Sequence, residues 1–388
     1  MPLMNWRCLA LLIPFLVGFI GFSLVLCEPS SGQSLLVYVG TYTRGDSKGI
    51  YALRLDTATG ALTSLGLAAE TANPSFLAVD PGNRFLYAVG EMNSFNGKPG
   101  GAVTAFAINR ADGKLTLLNQ ASSGGGGPCH LAVDQQGKYV LVANYNGGNL
   151  TVLSIGSDGK LGDSSAFIQH EGSSVNRERQ AGPHAHGVYL DTANRFAVVA
   201  DLGLDKLLTY RFDPAKGTLE ANDPPSASVR PGAGPRHFSF HPDNRHAYVI
   251  NELDSTLTIF EFEANNGAFK ELATVSSLSP DFNGRNFPAE IAVHPSGKFV
   301  YGSNRGADTI AIFAVDQTTG ALAPVGWQPT QGRTPRNIAI DPSGRYLLAA
   351  NQDSANIVVF AIDQATGKLT PNGQTATVDS PVCITFVR

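Results

Sequence analysis

The stretch HFSFHPDNRHAYVINELDSTLTIFEFEANNGAF, residues 237–269, carries the local pattern that decides the fold. Apolar residues recur in three short runs with β-type alternation, which predicts strands with a buried face. Between the runs stand a His-Pro-Asp-Asn turn, a polar tip and an Asn-Asn-Gly turn, and these residue types favour tight connections. The stretch therefore predicts an antiparallel meander of short strands.

The same pattern recurs along the chain. Close copies are HLAVDQQGKYVLVANYNGGNLTVLSIGSDGKL from His130, EIAVHPSGKFVYGSNRGADTIAIFAVDQTTGAL from Glu290 and NIAIDPSGRYLLAANQDSANIVVFAIDQATGKL from Asn337. Shorter copies begin at Phe76 and Gly187. The six copies share a first-turn residue, 47 to 57 positions from the next: Asp80, Asp134, Asp191, His241, His294 and Asp341. A period of about 50 residues indicates a β-propeller.

A seventh unit is split between the two ends of the chain. LLVYVGTYTRGDSKGIYALRLDTATGALT, from Leu35, lacks a first strand, and SPVCITFV, from Ser380, supplies one. Joining both termini in one blade closes the ring and removes an open strand edge. We predict an all-β, seven-bladed β-propeller over residues 34–388, closed by N- and C-terminal strands that share one blade.

Residues 1–33 form a separate segment, predicted to be a signal peptide or an N-terminal membrane anchor. Arg7 is followed by 19 uncharged residues up to Leu26 and then by a stretch rich in Pro, Ser and Gly. Such a run is long for a signal-peptide core and just long enough to span a bilayer. We expect the protein outside the cytoplasm, periplasmic or secreted, with membrane contact only through an uncleaved leader.

Composition argues against several partner classes. The formal net charge of -4 provides no basic field, so nucleic acid is not an expected partner. A small anionic ligand needs only a few converging cations. Cys8 and Cys27 belong to the leader, and Cys129 and Cys383 have no C-x-x-C spacing, so free packed thiols are expected. No metal or cofactor is predicted.

Comparing equivalent positions blade by blade predicts a site, because inner strands of a propeller line a central channel. Three rings of positions are expected at one end of that channel. The first ring comprises Ser75, Cys129, His186, Arg236, Ala289, Arg336 and Val382. The second comprises Phe76, His130, Gly187, His237, Glu290, Asn337 and Cys383. The third, after the second strand, comprises Tyr42, Met92, Tyr145, Leu202, Glu252, Arg305 and Gln352.

The polar members that break the repeat are the candidate site residues. Arg236, Glu252 and Arg305 are predicted to converge, and the irregular motif GPHAHG adds His184 and His186. The predicted catalytic set is thus His184, His186, Arg236, Glu252 and Arg305. The predicted substrate-binding set is His130, His237 and Arg336.

Structural alternatives stay open for each of these residues. Arg236 also fits a surface ion pair, Glu252 a turn cap and Arg305 a solvated loop. A histidine pair at i, i+2 suits a metal, but no third ligand is spaced nearby. The position before the third ring is nearly always Asn or Asp, which is typical of turn chemistry. The same interpretation covers His241 and His294.

The chain resembles the seven-bladed lactonases, a family that includes propeller-type bacterial 6-phosphogluconolactonases and fungal 3-carboxy-cis,cis-muconate lactonizing enzymes. The matching segments are GPHAHG, GAGPRHFSFHP, VINELDST, AVHPSGKFVYGSNRG and TPRNIAIDPSGRYLLAANQ. The resemblance implies a hydrolase of carbohydrate (glucose) metabolism that acts on a small anionic sugar lactone. It also implies a site of one histidine, two arginines and a glutamate: His184 or His186, Arg236, Arg305 and Glu252.

The expected chemistry is general-base hydrolysis. The Gly-x-Ser-x-Gly match GDSKG, residues 45–49, lies between two predicted β-strands and not on the strand-to-helix turn of a nucleophile elbow. Water activated by Glu252 or His186 is therefore expected to attack the lactone carbonyl. One arginine would stabilise the oxyanion and the other would bind a substrate anion. Two alternatives remain: a muconate-type cycloisomerase, and a non-catalytic extracytoplasmic binding propeller. The leader departs from the cytosolic members of the family, so an exported homologue is expected to meet a different lactone.

Overall fold

The computed structural model describes residues 34–388, and the predicted leader with Cys8 and Cys27 lies outside the described residues. Across this range the regular structure is almost entirely β, with a single short 3-10 helix at Gln352–Ser354. No helix among residues 34–388 has the length and apolar character needed to cross a bilayer.

The strands follow the predicted hairpin succession. The first ten are β1 (Ser34–Thr41), β2 (Gly49–Asp56), β3 (Leu62–Glu70), β4 (Leu77–Val79), β5 (Phe85–Gly90), β6 (Ser94–Phe95), β7 (Lys98–Pro99), β8 (Ala102–Ile108), β9 (Leu115–Ser122) and β10 (Pro128–Val133). The next ten are β11 (Tyr139–Asn144), β12 (Asn149–Ile155), β13 (Leu161–Gln169), β14 (Ala185–Leu190), β15 (Phe196–Asp201), β16 (Lys206–Asp213), β17 (Thr218–Ser228), β18 (Pro235–Phe240), β19 (His246–Asn251) and β20 (Thr256–Glu263). The last ten are β21 (Ala268–Ser276), β22 (Phe287–Val293), β23 (Phe299–Arg305), β24 (Thr309–Val315), β25 (Leu322–Pro329), β26 (Pro335–Ile340), β27 (Tyr346–Asn351), β28 (Asn356–Ile362), β29 (Leu369–Thr377) and β30 (Pro381–Val387).

Within residues 34–388 these strands form seven four-stranded antiparallel sheets and one small hairpin, β6–β7. From the channel outward, the sheets are β30-β1-β2-β3, β4-β5-β8-β9, β10-β11-β12-β13, β14-β15-β16-β17, β18-β19-β20-β21, β22-β23-β24-β25 and β26-β27-β28-β29. The inner strands contact one another around a closed ring, including β26 with β30 and β30 with β4. The seven-bladed propeller is confirmed. Its predicted closure is confirmed too, because β1 pairs antiparallel with β30.

The core lies between blades rather than inside them. In the described range, seven clusters of buried apolar side chains each draw on two neighbouring blades. For example, Val37 and Val39 of the first blade pack with Leu348 and Ile357 of the last. Since a single sheet has no partner for its apolar face, each blade depends on its neighbours for burial.

The histidines at the first turns bind across blade boundaries. His241 Nε2 donates a hydrogen bond to the carbonyl of Gly297, 2.8 Å away in the next blade, and His294 Nε2 does the same to Gly344 at 2.8 Å. His241, Asp243 and His246 bring their potential ligand atoms within 4.8 Å of one another. Hydrogen bonds within the turn occupy these atoms, including His246 Nδ1 to Asp243 Oδ2 at 2.7 Å. The cluster is therefore a hydrogen-bonded turn.

The two cysteines of the described range are free and buried, as predicted.

Candidate active site

A β-bulge at the start of the inner strands aims first-ring side chains into the channel. The register of the inner strand against its partner shifts between Pro128 and His130, Ala185 and Gly187, Pro235 and His237, and Pro335 and Asn337. Each shift adds one residue, as bulges do. Arg236 and His237 are consecutive, yet both are buried in the channel, whereas regular strand geometry would send them to opposite faces.

The centre of the site is the carboxylate of Glu252, which accepts hydrogen bonds from three arginines. Arg236 Nε lies 3.1 Å and Arg305 Nη2 2.7 Å from Oε2. Arg179 Nη2 lies 2.6 Å from Oε1. Glu252 is 5% exposed and Arg236 2%, so the ion pair between them is shielded from water. The geometry excludes the surface ion pair, the turn cap and the solvated loop as descriptions of Arg236, Glu252 and Arg305.

Backbone carbonyls hold two of these arginines in place. Arg236 Nη1 donates to the carbonyl of Ala289 at 2.6 Å, and Arg305 Nε donates to that of Phe287 at 3.0 Å. Burial opposes ionisation of Glu252, but the charges of Arg305, Arg236 and Arg179 outweigh it and lower its pKa to about 2. Glu252 is therefore a carboxylate throughout the neutral range, and a very weak base.

The two predicted histidines flank the ring of Tyr145 in different ways. The ring of His184 stacks on it with centroids 4.4 Å apart, and His184 Nδ1 donates to the Tyr145 carbonyl at 2.9 Å. The ring of His186 meets Tyr145 edge to face at 5.3 Å. His186 Nδ1 lies 3.7 Å from the Cys129 thiol. Burial, with the charge of Arg236 next in size, keeps the pKa of His186 well below its usual range, so its imidazole is neutral.

Arg179 comes from the long connection between β13 and β14 that precedes the GPHAHG motif. The connection is anchored by buried carboxylates: His170 Nδ1 donates to Asp201 at 2.6 Å, and Gln180 Nε2 donates to Asp205 at 2.7 Å. Asp201 also accepts the backbone N–H of His184 at 2.8 Å. The same loop therefore positions Arg179 over Glu252 and His184 beside Tyr145.

A second polar group lies at the same end of the inner strands. Arg336 Nη2 donates to the Tyr42 hydroxyl at 2.8 Å, with its guanidinium 5.2 Å from the centre of that ring. The Tyr42 hydroxyl donates in turn to Glu91 at 3.0 Å, and Ser75 also donates to Glu91. Burial raises the pKa of Tyr42 to about 12, so the phenol stays protonated.

The predicted substrate-binding histidines lie deeper in the channel. His237 Nδ1 donates to Glu290 Oε1 at 2.9 Å, and Asn337 Nδ2 donates to Glu290 Oε2 at 2.6 Å. The ring of His130 lies 3.9 Å from Phe76 and 5.2 Å from His237. Neither histidine contacts Glu252; both line the interior below the arginines.

The predicted set thus separates into three groups. The structure places Arg236 and Arg305 in direct contact with Glu252. His184 and His186 belong to the same group, because both contact the ring of Tyr145. Arg336 stands in a second group with Tyr42 and Glu91. His130 and His237 stand in a third group with Glu290. All three include partners that the repeat comparison did not select.

Several of those partners occupy positions that the alignment of the repeats could have identified. Tyr42, Tyr145, Glu290 and Asn337 belong to the aligned rings, and Glu91 is a glutamate where other blades have Asn, Asp or Thr. Arg179 belongs to an insertion with no equivalent in the other blades, so no comparison of repeats could place it.

Taken together, this end of the channel offers buried cations, an ionised carboxylate and a neutral imidazole. Arg236 Nη2 and Arg305 Nη1 make no hydrogen bond within residues 34–388 and remain as donors. Such a set can bind an anion, stabilise an oxyanion and accept a proton.

Comparisons with known proteins agree with this chemistry. The family model described as "Lactonase, 7-bladed beta-propeller" matches residues 36–386. A protein from Bacillus subtilis named 6-phosphogluconolactonase is 40% identical over 299 residues, which cover 77% of this chain and 83% of that protein. One from Formosa agariphila with the same name is 34% identical over 304 residues, covering 77% of this chain and 84% of the other.

Among solved structures, the periplasmic gluconolactonase of Pseudomonas aeruginosa superposes with a TM-score of 0.86 at 33% identity. The superposition covers 92% of this chain and 99% of that one.

Proposed function

The chain belongs to the seven-bladed β-propeller lactonase family, and on that premise we propose that it hydrolyses a sugar lactone of the 6-phosphogluconolactone type. The observation that carries the proposal is the Glu252 carboxylate bound by Arg179, Arg236 and Arg305 at one end of the channel. Three cations around one carboxylate leave an excess of positive charge, which favours an anionic substrate or transition state.

In this proposal His186 is the general base and Glu252 orients the arginines. Glu252 cannot remove a proton from water efficiently, because three arginines stabilise its ionised form. The neutral imidazole of His186 lies next to Arg236 in the first ring and has an unprotonated nitrogen, so it can take the proton transiently as water attacks the carbonyl. Burial and the charge of Arg236 lower the pKa of His186, so it passes this proton on. The free N–H groups of Arg236 and Arg305 then stabilise the oxyanion or bind a phosphate or carboxylate of the substrate.

We further propose that residues 1–33 direct the propeller out of the cytoplasm. The support is the 19-residue uncharged run after Arg7, together with the likeness to a periplasmic gluconolactonase. N-terminal sequencing of the protein recovered from the periplasmic and membrane fractions tests this proposal. A mature N-terminus near Ser34 in the periplasm supports it, and an intact protein confined to the cytosol contradicts it.

The function is tested by turnover of 6-phosphoglucono-δ-lactone and glucono-δ-lactone, with and without a chelator, after subtraction of spontaneous hydrolysis. We expect ring opening that the chelator leaves unchanged. R236A and E252Q should each lower kcat/KM by roughly a hundredfold or more, as loss of oxyanion stabilisation does.

The matched control is R230A, which removes an exposed arginine of the connection between β17 and β18 from an ion pair with Asp254. It should keep full activity, because exposed pairs contribute little. Full activity of both site variants would refute the mechanism. Ring closure of a muconate instead of ring opening, or turnover of none of these substrates, would refute the lactonase proposal.

A further inference from the structure

A carboxylate–histidine pair inside the channel has no part in the mechanism above. His237, 3% exposed, donates through Nδ1 to Glu290 Oε1 at 2.9 Å. With its proton on Nδ1, the neutral ring carries a lone pair on Nε2. That nitrogen is fully buried and has no hydrogen-bond partner in the described structure. An unpaired buried base is costly, so it requires an explanation.

On one side, the pair adjoins the proposed general base. The rings of His186 and His237 meet edge to face with centroids 5.2 Å apart. His186 in turn touches Tyr145, which hydrogen-bonds to Arg179 at 3.1 Å. His186, His237 and Glu290 therefore form a continuous row that leads away from the Glu252 cluster.

On the other side, the row ends at an opening. Glu290 lines a cavity of about 430 Å³ together with Asn337 and residues from the far ends of inner strands, such as Leu190 and Phe240. The arginine cluster lies at the beginnings of the inner strands, so this cavity belongs to the opposite mouth of the channel. Burial raises the pKa of the Glu290 carboxyl to about 7, which suits proton exchange with water near neutrality.

Lactone hydrolysis at this buried site releases a proton that needs a route to water. Hydrolysis adds water to the ester: one proton goes to the departing ring oxygen, and the other stays on the new carboxyl group. That acid ionises beside Arg236 and Arg305, and its proton must leave. An imidazolium at His186 is disfavoured by burial and by the neighbouring guanidinium, so the proton cannot rest there.

We propose that His186, His237 and Glu290 relay the product proton through the channel to the opposite mouth. His186 passes it to His237 Nε2, while the Nδ1 proton of His237 moves to Glu290 Oε1. The Glu290 carboxylic acid then releases a proton to water. The rings meet edge to face at rest, so the first transfer requires rotation of the His186 ring. Each step moves one proton and leaves His237 neutral with its proton on Nε2. Rotation of the His237 ring, which exchanges the two nitrogens between His186 and Glu290, then restores the starting state.

The charged and titratable groups facing Glu290 come from four elements: Arg236 and His237 of β18, His130 of β10, Tyr189 of β14 and Cys383 of β30. Asn337 of β26 adds a neutral donor. These groups have their own pKa values shifted by burial, so Glu290 is the member of the set that titrates near neutral pH.

The test rests on the proposed lactonase activity and compares kcat and KM from pH 5.5 to 8.5 in E290Q and the wild type. In the wild type, kcat should rise as Glu290 ionises near pH 7. In E290Q, kcat should fall by roughly tenfold and lose that rise, with KM unchanged, because the proposed substrate site is at the arginines and not at Glu290. If Glu290 had a purely structural role, E290Q would keep the rise of kcat with pH. Wild-type kcat and pH profile in E290Q would overturn the relay.

Two further variants keep the test decisive. Y189F removes a hydroxyl from the same channel wall and should leave kcat and its pH profile unchanged. N337D replaces a hydrogen-bond donor to Glu290 by a second carboxylate, so the rise in kcat should move to higher pH, by about one unit. If kcat rises at the same pH in N337D as in the wild type, the relay is overturned, even if E290Q does not fold. Absence of any turnover by the wild type would instead refute the proposed function.

Discussion

At the scale of single residues, two buried glutamates of this channel have opposite electrostatic environments. Glu252 is paired with three arginines, and its pKa falls to about 2. Glu290 receives hydrogen bonds from a histidine, an amide and a backbone N–H, and burial raises its pKa to about 7. The same side chain is thus a permanent anion in one ring and a titrating acid in another.

Glu290 should give stability an unusual pH dependence. Its folded pKa lies above the unfolded value of 4.5, so the wild type loses stability relative to E290Q as pH rises from about 4.5 through 7. The full difference is on the order of 3 kcal/mol. Urea unfolding of both proteins between pH 4.5 and 8 measures it. The amide of E290Q faces the Asn337 donor, which adds a pH-independent cost to this difference. A difference in unfolding free energy that does not change between pH 4.5 and 8 would contradict the raised pKa of Glu290.

Arg179 should act on substrate binding. Its side chain is 35% exposed and, among residues 34–388, bonds only to Glu252 and Tyr145, so it can exchange partners when an anion enters. R179A is expected to raise KM by roughly tenfold with a smaller effect on kcat. R177A, an exposed arginine of the same loop, is the control. Equal KM in the two variants would show that Arg179 does not contact the substrate.

At the scale of elements, the hairpin between third and fourth strands depends on glycine. One glycine with φ between +68° and +82° stands at this turn in each blade: Gly60, Gly113, Gly159, Gly217, Gly267, Gly320 and Gly367. Most of them also pack against a ring of a neighbouring blade; a Cβ on Gly267 would lie 2.5 Å from Phe196. The turn therefore fixes both the hairpin and the spacing between blades.

G267A should accordingly destabilise the fold by about 2–4 kcal/mol through backbone strain and overpacking. G373A is the matched control. Its φ is +81°, but a Cβ there would meet nothing within 4 Å, so only strain of about 1 kcal/mol is expected. Thermal and denaturant unfolding separate the two contributions. Equal losses in both variants would mean that the contact with Phe196 costs nothing.

At the scale of the whole molecule, stability comes from the ring. Each interface between blades holds one apolar cluster, so opening the ring at any point exposes two faces. β30 is the closing strand: its residues Cys383 and Ile384 pack into the two clusters that flank the first blade. It also covers the edge of β1.

Deleting residues 381–388 should therefore give an aggregating protein, because the apolar clusters lose side chains and β1 becomes a free edge. Size-exclusion chromatography of the soluble fraction measures this outcome. Deleting Arg388 alone removes terminal hydrogen bonds to Arg110 and Asn83 and should leave the protein soluble. A folded monomer without β30 would contradict ring closure as the source of stability.

The local pattern of the chain was sufficient to predict the number of blades, the split blade and the contact among Arg236, Glu252 and Arg305. Repeats make this possible, because one turn chemistry and one alternation recur at equivalent places, and equivalent places in a ring face the same channel. The sequence alone therefore determined the architecture and the centre of the candidate site. His130 and His237 were assigned to the substrate on the same basis. The structure places them below the arginines, and their role in substrate binding stays a prediction.

Only the tertiary structure decided which groups share each cluster. Arg179 reaches Glu252 from an insertion outside the repeat, and β-bulges turn consecutive residues into the channel, where strict alternation would separate them. The pairing of His237 with Glu290 spans two blades, and the contrast between Glu252 and Glu290 depends on charges brought from distant segments. Local sequence encodes turns and faces, whereas burial and electrostatic coupling arise only when separate blades meet around the channel.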